Sequence, residues 1–464
     1  MTGEAPAWAL TPTQFAADIE IASRQRLFIG GRFVTPRSRR HRDVVAPATG
    51  MTLTRLTDAS GADVDAAITA ATAAQRGWTR SARLTPLLRL ADRIERDPTL
   101  AILATRETGR PIRAATGVDT PLAARITRFN AGWADKLSHL VRGGNAPRAA
   151  GVVVVLVSGH AALLRVLWAV TPALAAGCPC VVKPSPHATL ACLRLAEIAR
   201  GADLPPGVLN VVTGGVKTGE ALMTHAGARL IVISGRHATC RRACQGAAAR
   251  TSPVVAEPRT PLTHVVFEDA ALDQAVEAIV AGPEASPLAS AGLGIRLLVQ
   301  EPVREEVTAR LLDRLRARRV GDPLDANTDI GPLPATHHAV AIDDMLESVR
   351  TAGGVIRTGG DPTVPRPDGG GHWCPPHLVT DVPAPDALAH AEAGGPFWFM
   401  DTFRTTAEAT TLAGDARALA VWSDKSARLF AVTETLAATT VWANTLPQID
   451  PAAAGMAGVR RFLR

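Results

Sequence analysis

The sequence predicts an α/β protein built from two doubly wound, mainly parallel sheets, and three observations predict it. Short runs at 152–156 (Val-Val-Val-Val-Leu), 180–182 (Cys-Val-Val) and 230–234 (Leu-Ile-Val-Ile-Ser) are apolar at successive positions. Strands buried on both faces of a parallel sheet read that way. Each run is followed by a stretch with apolar residues at helical spacing, 163–174, 188–200 and 236–249, and strand and helix in alternation make a doubly wound sheet. Finally, 464 residues, 47% of them hydrophobic and 20% charged, are enough chain for two such cores.

Taken in order, residues 1–25 read as a leading helical arm. Residues 27–34 alternate about Gly30 and Gly31 and predict a hairpin. Helices follow at 63–78 and 84–96. After the run at 152–156 comes the helix 163–174, then the strand from Cys180 to Lys183 and its exit at Ser185. Residues 207–215 form a strand running into the turn Gly214-Gly215. The strand 230–235 leads into a helix at Arg236, whose first turn offers free backbone N–H groups. The segment 254–300 holds Glu257, Phe267 and the run from Gly294 to Gln300. An amphipathic helix at 303–318 and strands at 373–379, 419–429 and 439–444 complete the second half.

Several ordered motifs resemble the aldehyde dehydrogenase superfamily. They include Phe28-Ile29-Gly30-Gly31, Pro47-Ala48-Thr49-Gly50, Glu107-Thr108-Gly109-Arg110-Pro111, the Pro-Ala-Leu-Ala-Ala-Gly at 172–177 and Lys183-Pro184-Ser185. Further matches are the Pro-Pro-Gly-Val-Leu-Asn-Val-Val at 205–212, Ser234-Gly235, Phe267-Glu268-Asp269, Gly294-Ile295-Arg296 and the segment from Glu392 to Pro396. The resemblance spans about residues 26–455. It implies two Rossmann-type domains: a cofactor-binding domain from 1–131 and 151–253, and a catalytic-type domain at 254–445. It also implies a reduced oligomerisation element at 132–150 and 446–464, reduced because the loop 143–151 is short and the final strand is missing. From the same resemblance, Glu257 stands at the general base and Lys183 at the adenine-ribose lysine. Glu392 stands at the nicotinamide-ribose glutamate. Ser185, Gly215, Ser234, Gly235 and Arg236 fall on the cofactor surface, and the implied cofactor is NAD or NADP.

The departures carry the functional question. Counting back from Gly294 and Arg296, the family's cysteine nucleophile falls on Ala291, which cannot attack a carbonyl. The neighbouring Ser290 offers a hydroxyl with no evident base. The Glu-Leu-Gly-Gly-Lys motif reads Glu257-Pro258-Arg259-Thr260-Pro261, and His160 stands where the oxyanion asparagine belongs. His160 and Glu257 are therefore the expected catalytic pair, because a histidine titrates near neutrality and can exchange protons with a carboxylate. Gly159 replaces a tryptophan, and Arg236 places a cation at a helix start, where the dipole favours an anion.

Composition removes other classes. No tyrosine is present, so no tyrosine acid operates, and the net charge of +7 comes without aromatic interleaving or a nucleic-acid motif. Cys178 and Cys180 are separated by one residue, and Cys240 and Cys244 by one helical turn, so no metal or redox motif is expected. With no signal-peptide pattern, the cysteines read as reduced thiols of a cytoplasmic protein. Residues 152–170 are apolar but divide into a strand and a helix rather than a membrane span. A small-molecule substrate or ligand and a homodimer are the expected partners. The sequence favours a repurposed enzyme doing acid/base or non-thiol chemistry on a carbonyl or imine. The alternatives are an inactive homologue that binds a ligand or partner, and an oxidoreductase with unconventional residues. A cleft lined by apolar groups around Glu257 favours the enzyme, and a cleft filled by Arg236, Arg259 or Pro258 favours binding.

Overall fold

The computed structural model describes residues 19–140, 147–157, 159, 161–248, 252–290, 292–359, 371–383, 394–414 and 416–463. His160, Ala291, Glu392 and most of the leading arm lie outside them. Two seven-stranded sheets form the scaffold. The first contains β1 (Leu27–Ile29), β2 (Arg32–Val34), β5 (Val153–Val157), β6 (Cys180–Lys183), β7 (Leu209–Val211), β8 (Leu230–Gly235) and β9 (Val254–Pro258), in the order β2-β1-β7-β6-β5-β8-β9. A separate two-stranded ribbon pairs β3 (His41–Val45) with β4 (Thr52–Thr57).

The second sheet holds β10 (Leu262–Val266), β11 (Ile295–Gln300), β12 (Val355–Thr358), β13 (His377–Thr380), β14 (Phe397–Phe403), β15 (Ala418–Trp422) and β16 (Thr440–Ala443). Their order is β12-β13-β14-β11-β10-β15-β16. Within the two large sheets the hairpin β1-β2, the β1-β7 contact and the edge strand β12 are antiparallel, and the remaining pairs are parallel. The predicted doubly wound architecture is therefore present twice.

The apolar runs are explained by two-sided burial. Val153, Val155 and Val157 join one core cluster, with Cys180, Val182 and Val232. Val152, Val154 and Leu156 join another on the opposite face, with Val181, Ile231 and Ile233. Successive strand residues point to opposite faces, so a sheet covered on both sides asks for an apolar residue at every position. The helices are closed by ordinary means. Ser60 and Asp63 form a capping box on helix Gly61–Gly77. Helix Ala162–Ala176 ends at Gly177 in the left-handed region.

One expected boundary shifts, and the end of the chain makes contacts that the sequence does not show. Strand β9, assigned by sequence to the start of the second domain, pairs with β8 and forms an edge of the first sheet. The end of the chain, expected to serve oligomerisation, packs on its own first domain. Helix Pro451–Arg460 lies against the helices Thr120–Ala131 and Ala162–Ala176. Val459 and Phe462 are fully buried in that domain's core. The Ala150 N–H and the Cys178 thiol both donate to the Phe462 carbonyl. Within 419–429, the second half is helix Ser426–Thr435 rather than strand, because β15 ends at Trp422. Among the described residues no helix is long and apolar enough to cross a membrane.

Candidate active site and interdomain cleft

In the first sheet the chain runs from β5 outward through β6 and β7, then returns to place β8 and β9 on the other side. The carboxyl ends of β5 and β8 therefore flank a topological switch point, where open α/β sheets hold their ligands. A cavity of about 390 Å³ opens there, between the two sheets. The first domain contributes Gly159, Ser185, His187, Arg236 and Arg259 to its wall, and the second contributes Leu293, His337, His338 and Trp398.

The junction of the domains is tight at one point. A Cβ on Gly109 would lie 2.5 Å from the Pro332 carbonyl oxygen, and Gly109 has φ +78°. Around it, Arg110 pairs with the buried Asp119 and also donates to the Glu284 carbonyl. Arg113 bridges the Glu284 and Asp329 carboxylates at 2.7 and 2.6 Å.

Glu257 is opposite Ser234 in the β8-β9 register. Its Oε1 accepts a hydrogen bond from Arg461 Nη1 at 2.7 Å. The guanidinium comes from the end of the chain, 204 residues away. Glu257 is not among the residues lining the cavity. On the first-domain side stands Arg165, buried, with Nη1 donating to Ser234 Oγ at 3.1 Å and Nη2 to the Leu288 carbonyl at 3.3 Å. Burial pulls the Arg165 pKa down to about 10, and Glu257 opposes that shift. Arg165 thus ties the end of β8 to the segment just before position 291.

The nearby hydroxyl, which has no evident base in the sequence, and the nearby thiol are held inside the protein. Ser290 is fully buried and its hydroxyl donates to the Ser286 carbonyl at 3.0 Å. Burial pushes the Cys240 thiol up to about 11, so it stays protonated at neutral pH. Among the described lining residues there is no cysteine. The expected His160–Glu257 pair falls on a residue outside the described ones.

The cofactor-side residues are only partly available. Lys183 Nζ donates to the carbonyls of Pro184 and Gly214, both at 2.9 Å. Burial, reinforced by the Arg42 charge, lowers its pKa to about 8. Arg42 forms a two-pronged pair with Asp58, with both contacts at 2.8 Å. The Gly215 N–H also donates to Asp58, and a Cβ on Gly215 would meet Arg42 Nη2 at 2.6 Å. Arg42 therefore covers the Gly214-Gly215 turn, where Gly215 is expected on the cofactor surface. Ser185 accepts from the His187 N–H and caps the short turn Pro186–Ala188. The Arg259 N–H donates to the Gly235 carbonyl. Arg236 precedes helix His237–Ala248 and lines the cavity.

Arg259 and Gly159 explain each other. Gly159 has φ +87°, and a Cβ there would stand 2.7 Å from Arg259 Nη1. The guanidinium occupies space that any side chain at 159 would need. Beyond it lies a histidine cluster. The His187 and His337 rings are 6.0 Å apart, and the His337 and His338 rings 4.1 Å apart. Burial and then neighbouring cations, with His337, Arg236 and Arg259 among them, hold His338 down to about 3. His187 is lowered by burial, then by His337 and Arg42, and His337 by burial and Arg236.

Sequence reasoning named Arg236 and Arg259 but missed Arg165 as a bridge, Arg461 as the partner of Glu257, and the histidine cluster. The adjacent His337-His338 pair was visible in the sequence. Nothing local placed it 150 residues from its neighbour His187.

Two doubly wound sheets meeting over a switch-point cleft define a class of two-domain α/β proteins with a ligand-sized cavity between the domains. Within that class the chain belongs to the aldehyde dehydrogenase family, whose pattern it matches over residues 33–461. It is 32% identical to a peroxisomal aminoaldehyde dehydrogenase 2 of Pisum sativum, over 92% of this chain and 89% of that protein. It is 31% identical to a (Z)-2-((N-methylformamido)methylene)-5-hydroxybutyrolactone dehydrogenase of Acinetobacter baylyi, over 92% of this chain and 90% of that one. Among solved structures it is similar to an NAD-dependent aldehyde dehydrogenase from Sinorhizobium meliloti, with TM-score 0.86, 27% identity, and 95% and 93% of the two chains covered. It is also similar to betaine aldehyde dehydrogenase of Staphylococcus aureus in complex with NAD+, with TM-score 0.86, 25% identity, and the same 95% and 93% coverage.

A dinucleotide is the cofactor this family membership suggests. The residues present do not fit the whole of it. Lys183 and the Gly215 turn are engaged with the protein's own carbonyls and with Arg42–Asp58. The Arg259 guanidinium stands against Gly159 inside the cleft.

Proposed function

We propose that this chain is a member of the aldehyde dehydrogenase family that binds a small molecule in its interdomain cleft and does not run thiol-dependent aldehyde oxidation. The observation that carries the reading is the Glu257–Arg461 contact at 2.7 Å, with Glu257 outside the cavity wall. A general base must reach the group it deprotonates, and this carboxylate is turned to a cation of its own chain instead. Ala291 in the place of the nucleophile supports the same conclusion from the sequence. Arg236 and Arg259 in the cavity wall favour binding over the acid/base chemistry that an apolar pocket around Glu257 would have supported. The relatives are named as dehydrogenases, and one was solved with NAD+, so loss of that reaction is the claim to test.

The test is a two-part measurement on the purified chain. NAD(H) and NADP(H) are titrated calorimetrically, and nicotinamide reduction is followed with a panel of aldehydes. The reading expects cofactor binding no tighter than about millimolar, some 4 kcal/mol, and no aldehyde-dependent reduction. Aldehyde-dependent reduction that disappears in Glu257→Gln would overturn it and restore Glu257 as a base.

A further inference from the structure

One short stretch of each domain carries a dense set of contacts across the junction. On the first-domain side it runs from Gly109 to Arg113. On the second-domain side it comprises Glu284, Pro323 and the segment 329–332. The two backbones meet directly: a Cβ on Gly331 would stand 1.9 Å from the Gly109 carbonyl oxygen. The Ile112 N–H donates to the Pro323 carbonyl at 2.7 Å. Arg113 forks onto the Glu284 carboxylate at 2.9 and 2.7 Å, and its Nη2 also donates to Asp329 at 2.6 Å. Arg318, from the second domain, completes the network on Asp329 at 3.1 Å.

These contacts are mainly polar. Apolar packing at the same place is small, with Leu324 against the cluster of Ala101, Ile102, Ile112 and Ala115. Polar junctions between domains of one chain permit relative motion, which a large apolar interface would suppress. The contacts also sit at the cavity itself, because Gly109, Glu284, Arg318 and Asp329 belong to its wall. The Arg113 side chain is 44% exposed, so dissolved salt reaches the ion pairs. Across the cavity the walls are close: the ring of His187, from the first domain, lies 6.0 Å from that of His337, and His337 lies 4.1 Å from His338.

We propose that this junction is a latch for the cleft: Arg113, bridging Glu284 and Asp329, holds the two domains closed over the cavity, and its release moves the His187 and His338 walls apart. The close approach of Gly109 and Gly331 is part of the latch, since the arginine reaches both carboxylates only while the backbones touch. Access to the cavity is then set at the domain junction, whatever small molecule the cavity takes.

The experiment follows acylation of histidines in the full chain by diethyl pyrocarbonate, mapped by mass spectrometry of peptides. The reagent takes neutral imidazole, and both His187 and His338 are held below the usual histidine range by burial and neighbouring cations. In Arg113→Gln both are expected to label several-fold faster than in the wild type. Arg113→Lys, which keeps a charge but cannot fork, is expected to fall between. Gly331→Ala acts as a wedge: the position is outside the left-handed region, so the added methyl strains the domain contact and not its own backbone. It is expected to label like Arg113→Gln. The wild type in about 1 M NaCl, where the Debye length is about 3 Å, is expected to label faster than at low salt. Exposed His41 should label alike throughout, and fully buried His264 not at all. Arg89→Gln, whose side chain pairs with Asp203 on the surface, is expected to match the wild type.

The latch is overturned if either folded variant, Arg113→Gln or Gly331→Ala, labels His187 and His338 like the wild type. It is also overturned if the wild type labels them as fast as His41, since the cleft would then be open with the ion pairs made. Labelling of His264 marks an unfolded variant. The decision then passes to the wild type at high salt, which carries no substitution, and an unchanged rate there rejects the latch.

Discussion

Glu107 and Glu257 are both glutamates that sequence comparison sets within family motifs, yet their surroundings differ in kind. Glu107 is buried at 1% exposure, and its carboxylate accepts backbone N–H groups of Leu190 and Ala191 at 2.6 and 3.0 Å. It closes the first turn of helix Leu190–Gly201, a role its neighbours fix from several directions. Burial pushes its pKa up to about 8 against those hydrogen bonds. Glu257 lies on an edge strand and is held by one side chain from the end of the chain. The first carboxylate belongs to the scaffold, and the second is controlled by a peripheral segment. Scaffold chemistry can persist in a fold whose reactive chemistry has been rerouted, because the two depend on different contacts.

The largest expected effect breaks the peripheral half of this comparison. Phe462 is fully buried beside Arg461, so Phe462→Ala removes a large side chain from the core that seats the tail. A loss of about 3–5 kcal/mol of unfolding free energy is expected, read by chemical denaturation. A loss below about 1 kcal/mol would mean that the tail is not part of the core, and Arg461 would then be a mobile partner for Glu257.

Next comes the scaffold half, tested by pH. The folded pKa of Glu107, about 8, lies above the ordinary carboxylate value of 4.5. The folded state therefore holds a proton that the unfolded chain releases between those values. Its contribution is fully present below about 4.5 and is lost as pH rises through about 8. Glu107→Gln keeps an acceptor for the helix N–H groups and cannot titrate. The wild type is expected to lose stability relative to Glu107→Gln between those two pH values. Parallel stability profiles for the two proteins would show that Glu107 does not carry this linkage.

These contrasts also mark how far the sequence could be read. The hairpin at Gly30-Gly31, helices such as Leu84–Arg96 and the buried strands β5 and β8 follow from local pattern, because period and turn residues act over a few positions. The switch point could not be placed, because alternation of strand and helix leaves the order of strands in the sheet open. The partner of Glu257 could not, since Arg461 is 204 residues away and neither residue's neighbours encode the other. The same holds for Arg259 against Gly159 and for His187 beside His337. One signal was available in hindsight. Loss of a bulky residue at 159 together with gain of an arginine at 259 is a compensating exchange of volume, of the kind close packing imposes. The boundary at β9 was missed for a related reason: motif spacing records sequence order, whereas an edge strand joins whichever sheet offers free hydrogen-bonding groups.

The smallest expected effect on stability sharpens the comparison most. The Arg461 and Glu257 side chains are 30% and 26% exposed, and a pair so placed contributes about 1 kcal/mol or less. Arg461→Ala is therefore expected to unfold almost as the wild type does. What should change is access to Glu257. Coupling of carboxyl groups to an added amine through a carbodiimide, mapped by mass spectrometry of peptides, reads each carboxylate separately. Glu257 is expected to label weakly in the wild type and several-fold more in Arg461→Ala, while Glu107 labels in neither because it is enclosed by helix N–H groups and core. Equal labelling of Glu257 in both proteins would sink the idea that the tail governs this carboxylate. The proposed loss of thiol-dependent oxidation would then rest on position 291 alone.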